Sequence, residues 1–264
     1  RCSFMMYPTH KKLGYAFGLA GIPIVSAIST SELVQNNNLL PAFGIDTLEL
    51  SNPFSIIYYA LIVCTALWAS LYGAGFPDID SPGSIPANAN VFNKGLSYIY
   101  RITGVHHRGK FSHGVDSLTI VFLITYCFIT FLVPTAMTGL LTDDSLSNNM
   151  YLFMLNFGKG GAFISLAQVF VIFSWIGAMS HMFGDMSTRE GVYLSGVAAL
   201  VTNNRTKVKI VPTFIIKPFG NFVDTSQWFS TDSNWEISFR QAVNIVIYIL
   251  AGVNILYFLG VSIF

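Results

Sequence analysis

The chain has 264 residues, of which 53% are hydrophobic, 15% aromatic and only 10% charged; an average soluble domain carries about 25% charged residues. With a mean hydropathy of +0.57, that deficit points to an integral membrane protein. A net charge of +1 with thinly spread basic residues argues against a nucleic-acid partner.

A bilayer crossing takes about 20 predominantly apolar residues. In chain order, the runs that approach this are 13–33 (interrupted by Pro23 and several serines), 54–75, 116–138, 162–184 and 242–264. Cys64 and Cys127 lie inside such runs and Cys2 lies near the N-terminus, so neither a disulfide framework nor a CxxC metal site is expected. Residues 185–241 form a long polar segment, and the partial alternation of polar and apolar residues over 207–216 predicts a short β-hairpin. The predicted fold is an all-α integral membrane protein. It is a single membrane-embedded domain over 1–264, with about five transmembrane helices and a small cytoplasmic polar segment.

Orientation follows from the basic residues. With the N-terminus inside, every one of the 14 Lys and Arg residues except Lys159 falls on the cytoplasmic side, as the positive-inside tendency requires. The same topology sorts the histidines. His10 precedes the first predicted span, and Asp78 and Asp80 follow the second. His106, His107 and His113 precede the third, while His181 and Asp185 end the fourth. All 5 histidines and these carboxylates are thereby expected on one face of the membrane. Scattered structural histidines would not sort in this way.

His and Asp together make an N/O ligand set suited to Zn, Mn or Fe. In Phe76-Pro77-Asp78-Ile79-Asp80-Ser81-Pro82 an extended backbone would point both carboxylates the same way, so that each ligates one metal or one bridges two. The i, i+4 spacing of His181 and Asp185 puts both on one helix face. His10, Asp78, Asp80, His107, His113, His181 and Asp185 exceed the needs of one tetrahedral ion, so two metals are expected. A dinuclear centre activates water and clamps the attacking and leaving oxygens of a phosphoester. Arg108 and Lys110 would receive the phosphate charge, although both also suit a role as positive-inside anchors. Asp116, three residues after His113, is placed to orient that imidazole.

Taken in order, Thr9-His10, Phe76-Pro77-Asp78-Ile79-Asp80-Ser81-Pro82, His107-Arg108-Gly109 with Ser112-His113, and His181-x3-Asp185-x2-Thr188-x2-Gly191-Val192 resemble the motifs of the YdjM-like family. That family is described as LexA-regulated, multi-span inner-membrane, metal-dependent hydrolases. The resemblance covers about residues 8–240. Its pattern departs here by one extra residue between His107 and His113, with Ser112 and Gly114 in place of Thr and Ser. Either His106 or His107 is therefore open as the ligand, though Arg108 follows His107 as the pattern requires. The resemblance also implies that Glu236, in Trp235-Glu236 with Arg240, is a site residue. The H-x-x-x-D element is similar to that of zinc-dependent phospholipase C enzymes.

The expected function is a membrane-bound metal-dependent hydrolase of the plasma (inner) membrane. It would use water activated by two transition-metal ions, with zinc favoured, on a lipid or lipid-linked phosphate approached from the cytoplasmic leaflet. No Ser-His-Asp or Cys-His arrangement stands out as a nucleophile. An amide- or ester-cleaving metalloenzyme is the alternative, although H-E-x-x-H is absent. A non-enzymatic metal-binding membrane protein is the other. Transport would place ionisable residues at mid-membrane, and the predicted spans are almost free of them.

Overall fold

The computed structural model describes residues 7–29, 53–105, 109, 111–132, 162–186 and 234–258. They form α1 (Tyr7–Ser29), α2 (Pro53–Gly73), a 3-10 turn (Pro77–Asp80), α3 (Ile85–Asn88), α4 (Val91–Ile102), α5 (Val115–Cys127), a π-helical continuation of α5 (Phe128–Leu132), α6 (Ala162–Met186) and α7 (Asn234–Phe258). Among the described residues the protein is helical, without strands. The hairpin expected over 207–216 lies outside them.

Among the described residues, three stretches are long and apolar enough to cross a bilayer: Val115–Leu132, Leu166–Met186 and Glu236–Tyr257. Ile57–Gly73 is a shorter apolar helix, and the first turns of α1 carry Lys11 and Lys12. Two helix starts differ from expectation. α1 begins at Tyr7 rather than at 13, so His10 sits inside the helix. α7 begins at Asn234 rather than at 242, which brings Glu236 into its first turn.

α6 is the hub, packed against α1, α2 and α5, and α1 also packs against α2 and α7. Leu19, Ile22 and Val25 of α1 meet Ile62, Ala66 and Ala69 of α2 and Val169 and Phe173 of α6 in the main apolar core. In lipid, such helices gain little from hydrophobicity and associate by close packing, which small residues permit. The α2–α6 crossing shows this: a methyl group at Gly73 would collide with the Ser174 carbonyl, and one at Gly177 with the Ser70 carbonyl.

Pro23 has no N–H to donate to the carbonyl four residues before it, that of Leu19. The Asn254 side chain of α7 fills the gap, donating from Nδ2 to the Leu19 oxygen at 2.9 Å. Tyr257 adds a hydrogen bond from its hydroxyl to Ser26 at 3.0 Å.

Between α2 and α5 the chain folds over one end of the bundle. Ser84 caps α3 through the Ala87 N–H (3.1 Å), and Asn90 caps α4 through the Asn93 N–H (2.8 Å). α4 ends at Gly104, whose φ of 71° suits glycine. The Val105 N–H returns to the Tyr100 carbonyl and the Gly104 N–H to that of Arg101, the paired bonds of a Schellman stop. α4 is inside out by soluble standards. Asn93, Ser97 and Tyr100 are buried against the protein, while Val91, Phe92, Tyr98, Ile99 and Ile102 face outward with Lys94 and Arg101 along the edge. That distribution is expected of a helix lying in the plane of a membrane interface.

Candidate metal centre

One end of the bundle gathers the starts of α1, α5 and α7 and the ends of α2 and α6. His10 and Thr9 come from the first turn of α1, Asp78 and Asp80 from the 3-10 turn after α2, and His113 from the residues before α5. His181 and Asp185 come from the last turns of α6, and Glu236 from the first turn of α7. These eight residues converge at one end of the bundle; of the histidines expected on one membrane face, His106 and His107 lie outside the described residues.

His181 is fully buried, and its Nδ1 lies 2.7 Å from the Ala74 carbonyl oxygen. A carbonyl only accepts, so Nδ1 carries the hydrogen and Nε2 holds the lone pair of the neutral ring. That Nε2 makes no hydrogen bond. It faces Asp185 Oδ2 at 3.4 Å and Asp78 Oδ1 at 3.7 Å. His113 Nε2 faces the same two oxygens, at 3.5 Å from Asp185 Oδ2 and 3.8 Å from Asp78 Oδ1. Two donors held about 2.0–2.1 Å from one ion at tetrahedral angles stand about 3.4 Å apart. The four separations are near that edge length, with Asp185 Oδ2 the closer carboxylate oxygen to both nitrogens.

The far nitrogen of His113 is also engaged. Its Nδ1 lies 3.4 Å from Asp80 Oδ2 and 3.2 Å from Ser112 Oγ. Asp80 therefore stands behind the ring, where a carboxylate fixes the orientation and raises the basicity of a metal-binding imidazole. The two aspartates were expected to point the same way from an extended segment. A 3-10 turn instead sends them to opposite nitrogens of one imidazole.

His10 stacks on His181, with ring centroids 3.8 Å apart and planes at 17°. Its Nε2 is 3.6 Å from Asp185 Oδ1, the oxygen that the other two imidazoles do not face. Asp185 thus presents one oxygen to His10 and the other to His113 and His181. Among the described residues, two overlapping groups able to hold a metal ion result: His113, His181 and Asp185, and His10, Asp78 and His181.

Charge makes the same demand as geometry. The Asp80 and Asp185 side chains are fully buried and that of Asp78 is 19% exposed. Buried carboxylates crowded together are costly without compensating positive charge. A proton on His181 supplies one such charge, whereas a divalent cation supplies two.

Glu236, fully buried, accepts a hydrogen bond from Thr9 Oγ1 at 2.6 Å, next along α1 from His10. Asp116 is half-buried in the first turn of α5, where its Oδ1 accepts the Ser117 N–H at 2.7 Å. His106, His107, Arg108 and Lys110 lie outside the described residues. Sequence reasoning missed three contributors. The Ala74 carbonyl left no trace in residue type. Gly184 lets His10 close on α6, since an added Cβ there would lie 3.1 Å from His10 Nδ1; its only signal is its place between His181 and Asp185. Tyr100 is buried on the Asp80 side of the site, and its phenol is pushed up to about 12, first by desolvation and then by the charges of Asp80 and Tyr72. It stays neutral at physiological pH.

Fold and site together define a helical membrane protein with a His/Asp cluster able to hold a metal ion. The chain belongs to the YdjM inner membrane protein family, whose model matches residues 5–261. Searches of curated proteins and of solved structures returned no match.

Proposed function

We propose that the protein is a metal-dependent hydrolase that cleaves a phosphoester at the cytoplasmic interface of the inner membrane, with two divalent ions, zinc favoured. The observation that carries this reading is His181: its Nδ1 is taken by Ala74, and its Nε2 is aimed without a hydrogen bond at Asp78 and Asp185. His113, His181 and Asp185 would hold one ion, and His10, Asp78 and the second oxygen of Asp185 would contribute to the other. Bound there, the ions would lower the pKa of water towards 7 and offset charge on phosphoryl oxygens.

The chain's own residues supply the rest. Asp80 and the Ala74 carbonyl hold the two imidazoles in the tautomer that turns Nε2 inward. Asp78 is the most exposed of the three carboxylates and marks the side from which substrate arrives. Arg108 and Lys110, in the stretch leading to His113, are suited to a phosphate's charge, Arg in bidentate fashion. The test is phosphate release by metal-restored protein from lipid phosphates, beside peptide and carboxylic-ester substrates. Phosphate release that disappears in Asp185→Asn is expected. Cleavage of peptides or carboxylic esters with no phosphate release would replace this reading with the amide- or ester-hydrolase alternative, and metal binding without any turnover would leave a metal-binding membrane protein.

A further inference from the structure

A groove of about 640 Å³ runs between α1, α5 and α6, within the size range of small-molecule sites. Its walls include Phe17, Ile24 and Ile28 of α1, Phe122 and Leu123 of α5 and Trp175 of α6. The polar atoms along it are occupied: Trp175 Nε1 donates to Thr119 Oγ1 at 3.1 Å, and Thr119 Oγ1 donates to the Val115 carbonyl at 2.7 Å. The groove therefore offers nothing to a sugar or a peptide. It suits hydrocarbon.

Its placement says which hydrocarbon. The α5 and α6 walls belong to the two candidate spans Val115–Leu132 and Leu166–Met186, so the groove lies at membrane depth. Ile24, Ile28 and Leu123 are exposed, which leaves it open sideways to the acyl layer. Along α1 the groove-lining stripe runs on to the metal centre, because His10 precedes Phe17 by two turns on the same helix face, about 10 Å away at 1.5 Å per residue. We infer that this groove holds an acyl or polyprenyl chain of a phosphorylated lipid that enters laterally from the bilayer, with its head group at the His/Asp cluster. The head-group half of the inference rests on the proposed hydrolase reading; the chain site does not. Moving a chain from bilayer to groove exchanges one apolar setting for another, so the groove's effect is to position the phosphate.

The test is photolabelling of metal-loaded protein, reconstituted in vesicles, by phosphatidic acid and by diacylglycerol that carry a diazirine on the acyl chain. Phosphatidic acid is expected to label the groove, and to do so more strongly than diacylglycerol. Ala20→Trp and Leu123→Trp, which fill the groove from two different helices, should each reduce that labelling roughly tenfold, or 1.4 kcal/mol. Ile245→Trp, at an exposed position on α7 outside the groove, should leave it unchanged. Labelling spread evenly over the exposed apolar residues of α5 and α7, or indifference to both groove-filling variants, would overturn the chain site. Equal labelling by diacylglycerol would overturn the phosphorylated head group. Labelling needs no turnover, so groove labelling by phosphatidic acid without phosphate release would keep the chain site and remove the hydrolase reading.

Discussion

His181 and Asp185 stand one turn apart at the end of α6, and between them Gly184 holds the His10 ring against the helix backbone. Their substitution tests different things. His181→Ala removes the donor that either candidate group draws on, and a sharp fall in metal content is expected. Gly184→Ala leaves every donor in place but forces His10 outward, so it should lower occupancy by about one equivalent while the protein remains folded. Elemental analysis of each purified variant reads both outcomes, and full occupancy in Gly184→Ala would count against His10 as a ligand. Proton competition gives a second check. Imidazole ligands must give up a proton to bind, so metal occupancy should fall as the solution is acidified. Occupancy unchanged between pH 7.5 and pH 5 would point to carboxylate ligands alone.

At the scale of elements, Pro23 and Asn254 form a coupled pair across α1 and α7. Asn254→Leu should destabilise by about 1–3 kcal/mol because the Leu19 carbonyl loses its partner in a buried setting. In Pro23→Ala the helix regains its own N–H donor, so the same Asn254→Leu change should then cost much less. A double-mutant cycle of thermal unfolding in detergent measures the coupling. Equal costs in both backgrounds would mean that Asn254 does not serve Leu19. α4 carries another expectation. An environment-sensitive fluorophore on a cysteine at Phe92 or Ile99 should report an apolar setting in vesicles, and one at Asn90 an aqueous one. Emission typical of water at all three positions would remove α4 from the interface.

These elements also show what the sequence could and could not reveal. Long apolar runs made the helices visible, and His and Asp are rare enough beside apolar spans to mark the site. The inward face of α4 was hidden, because periodicity defines two faces without saying which one meets protein. The extended reading of Asp78 and Asp80 failed because Pro77 also suits the first position of a tight helical turn. His10 and Glu236 were seen as residues, but their contacts depend on helix starts that apolar runs do not mark: polar first turns belong to α1 and α7 as much as their apolar bodies do. Ala74 contributes through its backbone, which composition cannot show.

For the whole molecule, five helix ends meet at one face, and the distribution of Lys and Arg makes the cytoplasm the expected side of that face. Lys94, exposed on α4, offers a test in protein stripped of its own cysteines. Lys94→Cys should react with a membrane-impermeant maleimide in inside-out vesicles and be shielded in intact spheroplasts. The reverse pattern would put the site on the opposite side. The most direct measurement is elemental analysis of wild-type protein purified without chelator, beside His181→Ala and Asp78→Ala. About two equivalents of a divalent transition metal in the wild type, sharply reduced in both variants, are expected of two ions that share Asp185, which presents one oxygen to His10 and the other to His113 and His181. A folded wild type that carries no metal and takes up none when it is supplied would contradict the metal centre itself.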